Sequence, residues 1–171
     1  MILWRHPTPD APPGLCYGRL DIGLARAAEA EIAAAVAAAP PLSVVVSSPA
    51  FRARRLAEAL ATASGAPLTI EPRLVELDFG AWEGRRWFAL PRDETDHWAE
   101  DPWRRAPPGG ETFASLHARV AAALAEAPAG AGIVTHAGPI RAALMMRAGL
   151  SFEAAFARPV PYAEAIELAH A

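Results

Sequence analysis

Two histidines stand where predicted strands end. Arg5-His6 closes the apolar run Ile2–Arg5, and Thr135-His136 closes Gly132–Thr135 just ahead of a helix. A third strand end, Ser47-Ser48, leads into a helix whose first turn or so carries Arg52. In a parallel sheet such ends lie side by side, which brings two imidazoles and two guanidiniums to one crevice. This set suits a phosphoryl group. Guanidinium forks match phosphate oxygens bidentately, and the helix N-termini after Ser48 and Gly138 add backbone N–H groups aimed the same way.

Other chemistries are excluded by what the 171 residues lack. All 16 Lys+Arg residues are arginine, and there is no Lys, Asn or Gln. Without Lys there is no Walker A loop and no Schiff-base enzyme, and without Asn no Cys-His-Asn triad. The single Cys16 cannot form an internal disulfide, which favours a reducing compartment and a cytoplasmic location. It is also no phosphatase nucleophile, because cysteine phosphatases need an arginine six positions on, and that position is Ile22. Asp10, Asp21 and Asp78 show no HxD or DxH spacing, so a metal-dependent phosphoesterase is disfavoured.

The elements that must position these groups alternate along the chain. Leu24–Ala39 reads as an Ala-rich helix, Ser43–Ser47 as a strand, and Pro49–Ala63 as a helix with Ser48 as N-cap and Pro49 at its first position. Leu68–Ile70 reads as a short strand, Thr112–Ala127 and Pro139–Ala148 as helices, and Tyr162–Leu168 as a last strand with Tyr162, Glu164, Ile166 and Leu168 on one face. Leu74–Trp82 has no clear assignment. This order predicts an α/β fold, a three-layer sandwich with a mostly parallel central sheet flanked by helices. Pro91–Gly110, with Trp98 and Trp103, has no clean period; it reads as a lid or as a surface loop packed on the single domain. Ile32–Phe51 carries no charge, but Pro40-Pro41 interrupts it, so a helix and a strand are expected there and not a membrane span.

Taken together, the motifs resemble those of the histidine phosphatase superfamily, which includes cofactor-dependent phosphoglycerate mutases and α-ribazole phosphatases. The resemblance runs from Arg5 to Arg141 and is similar to short bacterial α-ribazole phosphatase-like members. Arg5-His6 matches the opening motif, Ser47-Ser48-Pro49-Ala50-Phe51-Arg52 the second, Leu77-Asp78-Phe79-Gly80-Ala81-Trp82-Glu83-Gly84 the third, and Thr135-His136-Ala137-Gly138 with Ile140-Arg141 the last. Any one motif is weak; four in order are specific. The resemblance implies a phosphoglycerate mutase-like fold, His6 as the phosphorylated nucleophile and Glu76 as proton donor. It implies phosphate binding by Arg5, Arg52 and His136, with no metal and no cofactor. Two positions depart from the pattern: Pro7 and Thr8 follow His6 where the family has Gly and Glu. The loop Cys16-Tyr17-Gly18-Arg19-Leu20-Asp21 resembles one that borders substrate in the α-ribazole phosphatases, which makes Arg19 a candidate substrate contact; an exposed structural arginine is the preferred reading.

The expected activity is hydrolysis of a small phosphate monoester through a phosphohistidine, with α-ribazole 5′-phosphate as the substrate implied by resemblance. Phosphoglycerate mutase-type transfer is the nearest rival. A catalytically idle phosphate-binding module is another. The expected partner is a small phosphorylated molecule, since a net charge of −3 and a pI near 5.9 disfavour a non-specific nucleic-acid surface or a polybasic membrane anchor. His97 and His117 lie outside the motifs and are expected on the surface or a helix face.

Overall fold

The computed structural model describes residues 1–168. Its five strands are β1 (Ile2–Arg5), β2 (Val44–Ser47), β3 (Leu68–Ile70), β4 (Ala131–Thr135) and β5 (Ala165–Glu167), arranged in one sheet of order β3-β2-β4-β1-β5. All pairings are parallel except β1 with β5. Helices α1 (Ala28–Ala38) and α2 (Phe51–Ser64) cover one face; α4 (Phe113–Glu126) and α5 (Ala137–Ala148) cover the other. The predicted three-layer, mostly parallel α/β architecture is therefore the fold.

Strand alternation builds both layers of core from the same short segments. Leu3, Val46 and Ile133 point toward Leu116, Val120, Ile140 and Leu144, whereas their neighbours Trp4, Val45 and Val134 pack with Ile32, Leu56 and Leu60. β4 is buried along its whole length, as a central parallel strand must be. None of the described helices is long and apolar enough to cross a membrane.

Several element ends differ from the sequence reading for identifiable reasons. Helix α1 starts at Ala28 because Leu24 is drawn into a bridge with Pro9 and the Ala25 N–H donates to the Thr8 carbonyl. Helix α2 starts at Phe51, and Ser48 is not its N-cap: the Ser48 hydroxyl is engaged by His136. Helix α5 starts at Ala137, with Pro139 tolerated in a first turn whose N–H groups have no intrahelical partner. The last strand shrinks to Ala165–Glu167 because Ala163 adopts a left-handed φ of 52°, which breaks the alternation expected from Tyr162. The unassigned stretch Leu74–Trp82 runs from the end of one short 3₁₀ turn, Pro72–Leu74, through a second, Gly80–Trp82. Within Pro91–Gly110 lies helix α3 (Arg92–Glu100), tied down by the Trp82 indole N–H, which donates to Glu94 at 3.0 Å. A last short helix, α6 (Phe152–Ala157), packs on α5.

Candidate active site

The order β2-β4-β1 decides which side chains meet. Arg5 pairs in register with Thr135, and the His6 N–H continues the ladder by donating to the Thr135 carbonyl at 2.9 Å. On the other flank the Ser48 N–H donates to the Val134 carbonyl at 2.9 Å. Ser48, His136 and His6 thus stand in a row at the carboxyl ends of three adjacent strands. The two imidazole centroids are 5.1 Å apart, and both side chains are buried.

Pro7 has a role that sequence reasoning did not assign. His6 Nδ1 lies 2.7 Å from the Pro7 carbonyl oxygen, which can only accept, so the proton sits on Nδ1 and Nε2 keeps its lone pair. Burial, reinforced by the Arg52 and Arg5 guanidiniums, pushes the His6 pKa down to about 3, so the ring is neutral at ordinary pH. His136 is held neutral in the same way, by burial first and then by the charges of its neighbours. Its Nε2 is 2.8 Å from the Ser48 hydroxyl, and its Nδ1 is buried without a partner among the described residues. Thr8 secures the loop, its N–H and hydroxyl donating to the Glu31 carboxylate at 2.7 and 2.6 Å.

The arginines are placed by backbone carbonyls. Arg52, fully buried, donates to the carbonyls of Leu20 (2.9 Å) and Gly18 (2.6 Å), and its Nε is unpartnered among the described residues. Arg5 donates to the Val160 carbonyl and to the Tyr162 hydroxyl, both at 2.9 Å, and its guanidinium carbon lies 3.8 Å from the centroid of the Tyr162 ring. The Arg5 Nε is likewise buried and, among the described residues, free of partners. Tyr162, which also packs 5.5 Å from the His6 ring, was legible in the sequence only as a strand residue. Arg19 bridges Asp78 at 3.3 Å and Glu111 at 3.7 Å with its side chain about half exposed, and lines a second cleft beyond Glu76.

Glu76 reaches the site from the loop between the two 3₁₀ turns. Its carboxylate accepts N–H bonds from Leu77 at 2.9 Å and from Gly138 at 3.1 Å to each oxygen. The Gly138 N–H, expected to face phosphate, is thus occupied by Glu76. A Cβ there would fall 2.2 Å from Glu76 Oε1, so any larger residue must displace that carboxylate. Arg119 of α4 holds this loop, donating to the carbonyls of Arg73, Val75 and Glu76 while pairing with Glu111. Glu83 ties it to the other rim, accepting from the N–H groups of Gly18, Arg19, Leu20 and Phe79.

His6, Glu76, Arg5, Gly138 and Arg141 open on a cleft of about 230 Å³. The rest of its lining is largely aromatic: Tyr17, Phe79, Trp87, Trp98, Phe113 and Phe156. Trp98 joins edge-to-face contacts with Phe79 and Trp82. Cys16 is buried below, and loss of solvent pushes its thiol up to about 12, so it carries no thiolate. His117 packs 5.4 Å from Trp103, and among the described residues no group of three or more His, Cys, Asp or Glu is placed to hold a metal ion.

A sequence profile described as "Histidine phosphatase superfamily (branch 1)" matches residues 1–171. "Bifunctional protein Rv2228c" of Mycobacterium tuberculosis is 35% identical over 127 residues, covering 70% of this chain and 35% of that protein. "Probable phosphoglycerate mutase GpmB" of Salmonella paratyphi B is 38% identical over 90 residues, covering 47% of this chain and 39% of its own length. The chain thus spans little more than a third of these curated relatives. Among solved structures, the α-ribazole phosphatase of Shigella flexneri superposes with a TM-score of 0.84 at 23% identity, covering 96% of this chain and 87% of that one. That likeness is one of fold.

Proposed function

This chain belongs to the histidine phosphatase superfamily, branch 1, and from that premise we propose that it is a phosphomonoesterase working through phosphohistidine at His6. The observation that carries the reading is the committed tautomer: Nδ1–H is held by the Pro7 carbonyl, leaving Nε2 as a lone-pair nucleophile at the cleft.

Nε2 attacks phosphorus in line and the ester oxygen departs with the bonding pair, taking a proton from the Glu76 carboxylic acid. The phosphoimidazolium so formed keeps its Nδ1–H on Pro7. Water then attacks the same phosphorus, giving its proton to the Glu76 carboxylate, and inorganic phosphate leaves with His6 restored. The unpartnered Nε groups of Arg5 and Arg52 and the free Nδ1 of His136 are the donors that phosphoryl oxygens would satisfy. With the Ser48 hydroxyl donating to Nε2, His136 presents Nδ1–H as that donor.

The aromatic walls favour a monoester with a flat, largely apolar leaving portion, of which α-ribazole 5′-phosphate is the named candidate. A cytoplasmic location fits the single unpaired thiol. The second reading is mutase-type transfer, favoured by the relative named as a phosphoglycerate mutase. Rapid acid-free trapping with ³²P-labelled monoesters tests both. Wild-type protein is expected to carry an acid-labile phosphoryl group on His6 that passes to water, and His6→Ala to lose turnover by 10³-fold or more as an order of magnitude. Near wild-type rates in His6→Ala would overturn the mechanism, and passage of label to a second hydroxyl of the substrate would favour the mutase.

A further inference from the structure

Helix α5 brings another cation to the cleft. Arg141 follows Gly138 by three residues and so shares its face of the helix, and both line the space into which His6 and Glu76 open. Arg5 and Arg52 are each held by two acceptors. Among the described residues all three arginines keep a buried Nε with no partner, but no such pair of acceptors holds Arg141, whose guanidinium carbon sits 4.9 Å from the centroid of the Phe156 ring. A buried donor left unsatisfied is destabilising, and more so when charged, so such a group calls for an acceptor.

A second orphan lies in the same cleft. The Trp98 indole N–H, carried by α3, is also buried without an acceptor among the described residues. An indole can only donate, and both groups are set in walls otherwise built of aromatic rings. Geometry places Arg141 at the aromatic wall: its guanidinium lies over Phe156, which lines the cleft together with Trp98. Arg5 and Arg52 are instead held by Val160, Tyr162, Leu20 and Gly18. Arg141 is thus grouped with the walls that receive the leaving portion.

We propose that Arg141, with Trp98 as a second donor, forms a subsite for a carboxylate on the leaving portion of the substrate. The inference rests on the phosphatase reading and narrows it to phosphate monoesters of carboxylated, flat alcohols or phenols. A neutral leaving group such as α-ribazole fills the aromatic walls and leaves Arg141 without a counter-charge, so it ranks below a carboxylated one.

Two aryl esters of equal shape test this, 4-carboxyphenyl phosphate and 4-carbamoylphenyl phosphate. The amide is the better leaving group, so a preference for the carboxylate cannot come from leaving-group acidity. Wild-type kcat/KM is expected to favour the carboxylate by at least about tenfold, with the ratio falling to about one in Arg141→Met and partly restored in Arg141→Lys. A parallel titration with 4-hydroxybenzoate and 4-hydroxybenzamide, read by tryptophan fluorescence from the cleft, needs no turnover. There the carboxylate is expected to bind about tenfold tighter in wild type only. Equal ratios in wild type, or a preference that survives Arg141→Met in either assay, would overturn the subsite. If neither ester is hydrolysed, the phosphatase reading fails and the fluorescence titration alone decides the subsite.

Discussion

His6 and Glu76 line one cleft with their hydrogen-bonding capacity divided unequally. His6 has one ring nitrogen spent on Pro7 and one free, whereas the Glu76 carboxylate receives N–H bonds from Leu77 and Gly138 and none from a side chain. A residue so held can shuttle a proton without losing an ion-pair partner. Its contribution should scale with how poor the leaving group is. Glu76→Gln is expected to slow alkyl phosphate hydrolysis by about 10²-fold or more and to affect phosphorylation by an activated aryl phosphate much less, because a phenolate departs unprotonated. Single-turnover measurements isolate that step. An equal loss for both esters would make Glu76 a structural carboxylate.

At the scale of elements, the start of α5 and the loop carrying Glu76 form one unit. Gly138 has ordinary negative φ, so its need for glycine comes from space and not from backbone conformation. Gly138→Ala therefore separates helix stability from site geometry. The added methyl favours the helix by up to about 1 kcal/mol, while its carbon displaces the Glu76 oxygen that would lie 2.2 Å away. The expected variant has an unchanged or raised Tm and a loss on alkyl esters approaching that of Glu76→Gln, read by thermal melts and kcat/KM together. Wild-type activity in this variant would show that Glu76 works from elsewhere. Arg119 and Glu83 belong to the same unit. They anchor the loop through backbone carbonyls and N–H groups, a function tied to position and not to the loop's own side chains.

For the whole molecule, the site carries a stability cost with a definite pH signature. Both imidazoles are buried and neutral in the folded state, with His6 held at about 3 and His136 well below its usual 6.5. Below about pH 6.5 the unfolded chain binds protons that the folded chain refuses, so stability falls as pH falls toward 3, by up to ~1.4 kcal/mol per pH unit for each histidine. Urea melts from pH 7 to pH 5 are expected to show this slope, and His6→Gln to flatten it by about one histidine's share. An unchanged slope in that variant would mean that His6 takes up its proton without unfolding.

Local patterns determined much of this protein. Apolar runs ending in Arg5-His6, Ser47-Ser48 and Thr135-His136, separated by helical stretches, specify strands, crossovers and a parallel sheet, since a parallel pair needs a helix-length connection. The same spacing placed the motif residues at the carboxyl ends of strands, where an α/β sheet collects its ligands. What pairs with what was decided by the fold alone. Ser48 reads locally as a cap and becomes the partner of His136 because β2 and β4 are neighbours. Pro7 reads as a departure from the family pattern and becomes the acceptor that sets the tautomer of His6. Arg119 and Tyr162 carry no local signal for their roles, because their contacts with Glu76 and Arg5 span 43 and 157 residues of sequence; Arg141 stands in a motif, but the cleft it lines is enclosed only by the packed helices. Periodicity is a property of neighbours along the chain; a hydrogen-bond partner across the sheet is fixed by strand order, which no short segment encodes.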